Sequence, residues 1–168
     1  MKLMKRGLID TTDTSISTGM RYFGLGMVGA AALLAYYMFF SVSASQAMST
    51  LISAARSGYT YGVGYSGNMV PALIKSKQVA KVFKVDGDKI YNNDGGEVTV
   101  VGNGFGFIAT TNNVSESTCT KMSPQLSLND VKSVSINGKS FTSTISETDS
   151  AASCNAGRTN TIVVTTNS

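Results

Sequence analysis

The longest run without a charged side chain is Tyr22 to Ala55, 34 residues bounded by Arg21 and Arg56. Its first part, Tyr22–Val42, reads YFGLGMVGAAALLAYYMFFSV. About 20 apolar residues at a rise of about 1.5 Å span the hydrocarbon core of a bilayer, so this part is long enough to cross a membrane as a helix. The second part is milder. Ala47, Met48, Leu51, Ile52 and Ala55 recur there at spacings of three and four, which gives a helix one apolar face. The pattern predicts one long helix over 20–57, a membrane span that runs on into an amphipathic stretch and stops at Gly58. A leader or N-terminal extension precedes it at 1–19, and 58–168 is read as a globular head.

Lys2, Lys5, Arg6 and Arg21 precede the apolar run, so the N-terminus is expected to stay cytoplasmic and the remainder to be exported. The two cysteines, Cys119 and Cys154, both fall in the exported part. An even pair in an oxidising compartment reads as a disulfide; the alternative is two separate buried thiols. The net charge of +4 is dispersed. Its one local cluster, Lys75, Lys77, Lys81 and Lys84, is read as a solvated strand edge, where lysines block unwanted pairing, and no nucleic-acid partner is expected.

Past the helix a Gly- and Tyr-rich stretch, Gly58 to Asn68, reads as a flexible surface loop. A short helix is predicted over Val70–Ser76. The period then changes to two. Strands are predicted at Val79–Val85 and Lys89–Tyr91 around Asp86-Gly87-Asp88, and at Glu97–Val101 and Phe105–Thr110 around Gly102-Asn103-Gly104. Ser115–Met122 is a candidate helix carrying Cys119, ended by Pro124. Strands at Val131–Ile136, Ser140–Ile145 and Thr161–Thr166 complete an antiparallel sheet, with Asn137-Gly138 as a hairpin turn. The fold class is therefore α+β: a long N-terminal hydrophobic helix packed on a small antiparallel sheet.

No enzymatic chemistry is signalled. The chain has no histidine, the commonest general base and metal ligand. Its acidic residues show no paired-carboxylate spacing, and two cysteines alone do not make a zinc site. No cofactor is implied. Gly62, Gly64 and Gly67 spell G-x-G-x-x-G, but a dinucleotide site needs a strand before it and a helix after it, and here a helix precedes it. Gly24, Gly26 and Gly29, followed by Ala30 to Ala32, give the apolar helix a face of small residues suited to close helix–helix packing; ordinary tolerance of glycine in membrane helices is the alternative. Glycine also weakens a helix outside lipid, by about 1 kcal/mol each relative to alanine, so local melting of this segment is a further expectation. Val42-Ser43-Ala44 resembles a signal-peptidase site, which would make the apolar run a discarded signal peptide.

Taken in order, these features resemble the type IV pilins, and within them the type IVb class of enteric bacteria and of conjugative-plasmid thin pili. The resemblance rests on the apolar helix and on Asn68-Met69-Val70-Pro71. It rests further on the turn and strand Tyr91-Asn92-Asn93-Asp94-Gly95-Gly96-Glu97-Val98-Thr99-Val100, and on Cys119, Cys154 and the closing Asn160-Thr161-Ile162-Val163-Val164-Thr165. It implies a structural subunit, made as an inner-membrane precursor, trimmed by a prepilin peptidase and polymerised by inner-membrane assembly machinery into an extracellular filament. It implies a filament core of N-terminal helices, here carrying Gly24, Gly26, Gly29, Ala31, Leu33, Tyr37 and Phe40. The partners are then other copies of the chain, the bilayer before assembly, and a surface or recipient-cell ligand that the residues do not specify.

Two departures from the family pattern stand out. The usual Glu five residues after the cleaved glycine is missing. Cleavage between Gly19 and Met20 leaves Gly24 at that position; cleavage between Gly7 and Leu8 leaves Thr12. The aromatic residue often found before the Gly-Gly pair is Asp94 here. The competing readings are a membrane-tethered or secreted monomeric binding module that uses the Gly58–Asn68 stretch, and a pseudopilin of a secretion system.

Overall fold

The computed structural model describes residues 43–58 and 64–167. All of them belong to the second of the two compact units into which the chain divides, Val42–Ser168.

Helix α1, Ala44–Arg56, opens with a capping box. Ser43 Oγ accepts from the Gln46 backbone N–H, and Gln46 Oε1 accepts from the Ser43 N–H, each at 3.2 Å. Ser43 itself is extended, at φ −69° and ψ 153°. The helix therefore begins at Ala44, where an unbroken run through this position was expected; two first-turn donors are satisfied by side chains instead of by a preceding turn. Its buried face is Ser45, Ala47, Met48, Leu51, Ile52 and Ala55, which contains every residue of the predicted apolar stripe. Arg56 closes the last turn, and its guanidinium donates to the Asp130 carbonyl.

Eight strands form one antiparallel sheet: β1 Tyr65–Asn68, β2 Lys84–Asp86, β3 Lys89–Tyr91, β4 Glu97–Gly104, β5 Gly106–Val114, β6 Val131–Ile136, β7 Lys139–Phe141 and β8 Asn160–Thr166. The order is β2-β3-β4-β5-β8-β6-β7, and β1 pairs with the second half of β4. Val98, Val100, Phe107, Ala109, Ile162, Val164, Val134 and Ile136 point inward and are buried. The helices α1, α2 (Val70–Lys75) and α3 (Glu116–Ser127) cover this face, and α4 (Glu147–Ser153) packs on α3. Met48, Leu51, Ile52, Met122 and Leu126 complete the core from the helix side.

Several boundaries differ from expectation, each for a physical reason. Tyr65–Asn68 was expected to be loop but pairs with β4. The glycines there serve close backbone approach: a Cβ on Gly102 would collide with the Tyr65 and Ser66 backbone, and one on Gly64 with the Gly104 carbonyl. Because Gly102 and Asn103 pair with β1 on one side and β5 on the other, the hairpin turn moves to Gly104-Phe105. Val79–Phe83 is not strand. Phe83 turns back through a bond to the Ala80 carbonyl at 3.0 Å and is buried, so only Lys84–Asp86 remains extended. Strand β7 is shorter than expected because Ile145 turns into the core with its N–H on Ser127 Oγ at 2.9 Å. Asn137 and Gly138 both have positive φ, 50° and 89°, as a two-residue type I′ hairpin requires.

Pro124 was expected to end α3 but lies inside it. Proline leaves the carbonyl four residues back without its helical donor. That carbonyl is Thr120, and it accepts from Ser150 Oγ of α4 at 3.1 Å. Ser150 is fully buried. A helix that sequence reasoning did not anticipate thus repairs the bond that proline removes.

Candidate functional site

Of the predicted site residues, the structure brings together Cys119 and Cys154. They are disulfide-bonded with Cα atoms 6.0 Å apart, tying α3 to the end of α4. Gly7, Leu8, Gly19, Met20, Gly24, Gly26, Gly29, Ala31, Leu33, Tyr37 and Phe40 lie outside the described residues. The apolar face of α1 is consumed within the subunit, and Gln46, Thr50 and Ser53 are its exposed residues.

The segment bounded by the disulfide is anchored by a polar hub at Asn160, the first residue of β8, which is fully buried. Its Nδ2 donates to the carbonyls of Val114 at 3.0 Å and Asn155 at 2.9 Å. Its Oδ1 accepts from the Asn155 N–H at 2.6 Å and from Asn137 Nδ2 at 2.8 Å. Asn137 Nδ2 also donates to the Ser153 carbonyl at 2.8 Å, and Asn137 Oδ1 accepts from the Thr161 N–H at 2.9 Å. One amide therefore joins the end of β5, the β6–β7 turn and the chain just past Cys154. Every hydrogen-bonding capacity of the Asn160 side chain is used. Replacing Asn160 with alanine orphans the Val114 carbonyl and the Asn155 N–H, and is expected to cost about 3 kcal/mol. Urea unfolding of the variant beside the parent measures this.

A second hub forms at Asn92. Its Nδ2 donates to Thr111 Oγ1 at 2.8 Å and to the Asn112 carbonyl at 2.7 Å. Its Oδ1 accepts from the N–H groups of Asp94 and Gly96, an Asx turn locked onto β5 where the β5–β8 register shifts between Thr111 and Val114. Asp94 then does what an aromatic residue could not. Its Oδ2 accepts from the Ser115 N–H at 2.9 Å, which places a carboxylate at the N-terminus of α3. Its Oδ1 stands 3.8 Å from Arg158 Nε. The family departure at this position is thus a helix-capping contact. On the neighbouring strands Lys89 and Glu97 pair at 3.2 Å, and Glu97 holds the exposed Lys89 ammonium above its ordinary value.

Sequence reasoning missed Asn92, Asn137 and Asn160 as organising residues. Asn92 and Asn137 carried local turn signals, the Asn-x-Asp-Gly-Gly pattern and Asn137-Gly138; Asn160 carried none. Among the described residues no group of His, Cys, Asp or Glu could hold a metal ion, and no helix is long and apolar enough to cross a membrane. Lys75, Lys77, Lys81 and Lys84 are all exposed, with Lys84 on the edge strand β2.

Against known proteins, the profile of a family described as PilS, N terminal, matches residues 41–167. A crystal structure of the type IV b pilin from Salmonella typhi aligns with a TM-score of 0.60 at 22% identity, covering 71% of this chain and 95% of that one. An NMR structure of the type IVb pilin PilS from Salmonella typhi aligns with a TM-score of 0.50 at 27% identity, covering 72% and 92%. A comparison with curated proteins finds no match.

Proposed function

The chain belongs to the PilS family of type IVb pilins, and from this premise we propose that its copies polymerise into an extracellular type IV pilus that serves adhesion, aggregation or conjugative mating contact. A pilin is a structural subunit and not an enzyme. In the proposed cycle the charge-free run Tyr22–Val42 holds the precursor in the inner membrane. A prepilin peptidase cuts after Gly19, or after Gly7. The assembly machinery then moves the subunit from lipid into a filament core lined by Gly24, Gly26, Gly29, Ala31, Leu33, Tyr37 and Phe40. An uncharged helix makes that exchange without desolvating a charge.

One observation carries the reading. The head spends the apolar face of α1 on its own sheet, while the longest apolar run in the sequence lies upstream of that helix. Adhesive surface for other copies is then supplied by the upstream run, and the disulfide-tied head coats the outside.

Electron microscopy of material sheared from cells, with intact-mass analysis of its subunit, tests the proposal. Filaments containing a chain that begins at Met20 or Leu8, two protons lighter than its reduced form, are expected. A chain found only as monomer, or beginning beyond Phe40, overturns it; a mass starting at Ser45 identifies signal-peptide cleavage after Ala44.

A further inference from the structure

Asn137-Gly138 forms the β6–β7 turn. Asn-Gly is also the dipeptide whose asparagine is most open to attack by its own backbone, because glycine has no Cβ to shield the nitrogen that follows. The Gly138 nitrogen adds to Asn137 Cγ, the Cγ–Nδ2 bond breaks, and ammonia leaves with the proton that the Gly138 nitrogen gives up. Water then opens the cyclic succinimide at either carbonyl, giving aspartate or isoaspartate. The net change is amide and water to acid and ammonia, with water as the co-reactant.

The fold holds this reaction off. Attack requires the Asn137 amide to turn its face toward the Gly138 nitrogen. Three bonds keep it turned elsewhere: Nδ2 donates to the Ser153 carbonyl and to Asn160 Oδ1, each at 2.8 Å, and Oδ1 accepts from the Thr161 N–H at 2.9 Å. Asn137 is nonetheless exposed, so water reaches it. Two of its partners are held in place around the disulfide. Ser153 immediately precedes Cys154, and Asn155, immediately after it, grips Asn160 through both its N–H and its carbonyl.

The product does not fit back into the hub. A carboxylate at position 137 has acceptors only. Both groups that faced Nδ2, the Ser153 carbonyl and Asn160 Oδ1, are acceptors too. Asn160 has no freedom to turn its amide over, since Nδ2 is committed to the Val114 and Asn155 carbonyls and Oδ1 to the Asn155 N–H. Isoaspartate also inserts a backbone carbon into a two-residue turn.

We infer that Asn137 is a site of self-modification: its deamidation is blocked while the Cys119–Cys154 bond is intact, proceeds when that bond is lost, and then prevents the hub from closing again. The inference goes beyond polymerisation and does not depend on it.

The test uses the full chain in dodecylphosphocholine micelles at mildly alkaline pH. It is incubated oxidised, reduced by a phosphine, and reduced in urea as the unfolded reference. Tryptic cleavage after Lys132 and Lys139 releases Ser133–Lys139, in which Asn137 is the only side-chain amide, so the gain in mass reports this residue alone. The oxidised chain should deamidate at least about tenfold more slowly than the unfolded reference, and the phosphine should remove most of that protection, because the reaction passes through the opened form. Chain reduced and re-oxidised at once should recover the parent urea midpoint. Chain re-oxidised after deamidation should not, and neither should Asn137→Asp. No protection in the oxidised chain, equal rates with and without the disulfide, or a parent midpoint for Asn137→Asp would each overturn the proposal. Should Asn137→Asp yield no folded protein, the rate comparison decides. None of these measurements involves filaments, so failure of one reading is not failure of the other.

Discussion

Replacing Gly96 with alanine is expected to cost more than about 4 kcal/mol, enough to unfold much of the head at ambient temperature. The reason is space and not backbone freedom, since the φ of Gly96 is not positive. Gly96 is buried. Its N–H and its carbonyl are both taken by Asn92, each at 2.8 Å. A Cβ there would overlap the carbonyl of Asn112, with the Asn92 amide nitrogen close behind. That carbonyl is itself fixed by Asn92 Nδ2, so the obstruction is tethered backbone and not the far end of a flexible side chain. The neighbouring glycine is the control. Gly95 has a φ of +85° and open space around its Cβ position, so Gly95→Ala incurs only the left-handed penalty of about 1–2 kcal/mol. Unfolding free energies from urea denaturation should differ by at least about 2 kcal/mol between the two variants. Equal costs would show that the turn does not press on β5 as described.

The contrast between these glycines shows what could be read from the chain before its fold was known. The apolar stripe of α1, the Asn137-Gly138 turn and the pairing of two cysteines rest on local pattern or simple counting, and the structure has each of them. The Gly-Gly pair could be recognised as a turn, but nothing local says that Gly95 is there for its dihedral angle and Gly96 for its lack of volume. That distinction belongs to Asn112, a strand away.

The misses follow the same rule. Pro124 is a stop signal on any local reading. It fails to stop α3 because Ser150, on the far side of the β6–β7 hairpin, supplies the missing donor. Asn160 sits at the start of a hydrophobic strand, where a polar residue reads as a boundary; its four bonds reach residues from 114 to 155. The glycines near 64 read as a flexible loop and Gly102 as part of a turn, because the two stretches that pair lie nearly forty residues apart in sequence. For the candidate site, residue types were readable and their partners were not.

Changing Cys154 to serine is expected to lower the stability of the head by about 4 kcal/mol. The disulfide closes a loop with a sequence separation of 35, and the chain-entropy model assigns a loop of that size about 4 kcal/mol. The loss should not be spread evenly. Cys119 lies on α3, which also packs on α1, β6 and β8, whereas α4 depends on few ties. Apart from the disulfide and the helix's packing on α3, these are the Ser150–Thr120 bond that repairs the proline gap and the Asn137 bond to the Ser153 carbonyl. Neither is covalent, so neither restrains the unfolded chain as the disulfide does, and the serine variant should open first at α4. Amide hydrogen exchange should therefore rise over Glu147–Ser153 well before it rises in β4, β5 and β8. Loss of Ser150 from its site would then expose the Thr120 carbonyl and loosen α3 at Pro124, carrying the disturbance to Met122 and Leu126 in the core. An unchanged urea midpoint without reductant would mean that the parent protein does not form the bond; a uniform rise in exchange across the sheet would mean that α4 is held by more than these ties.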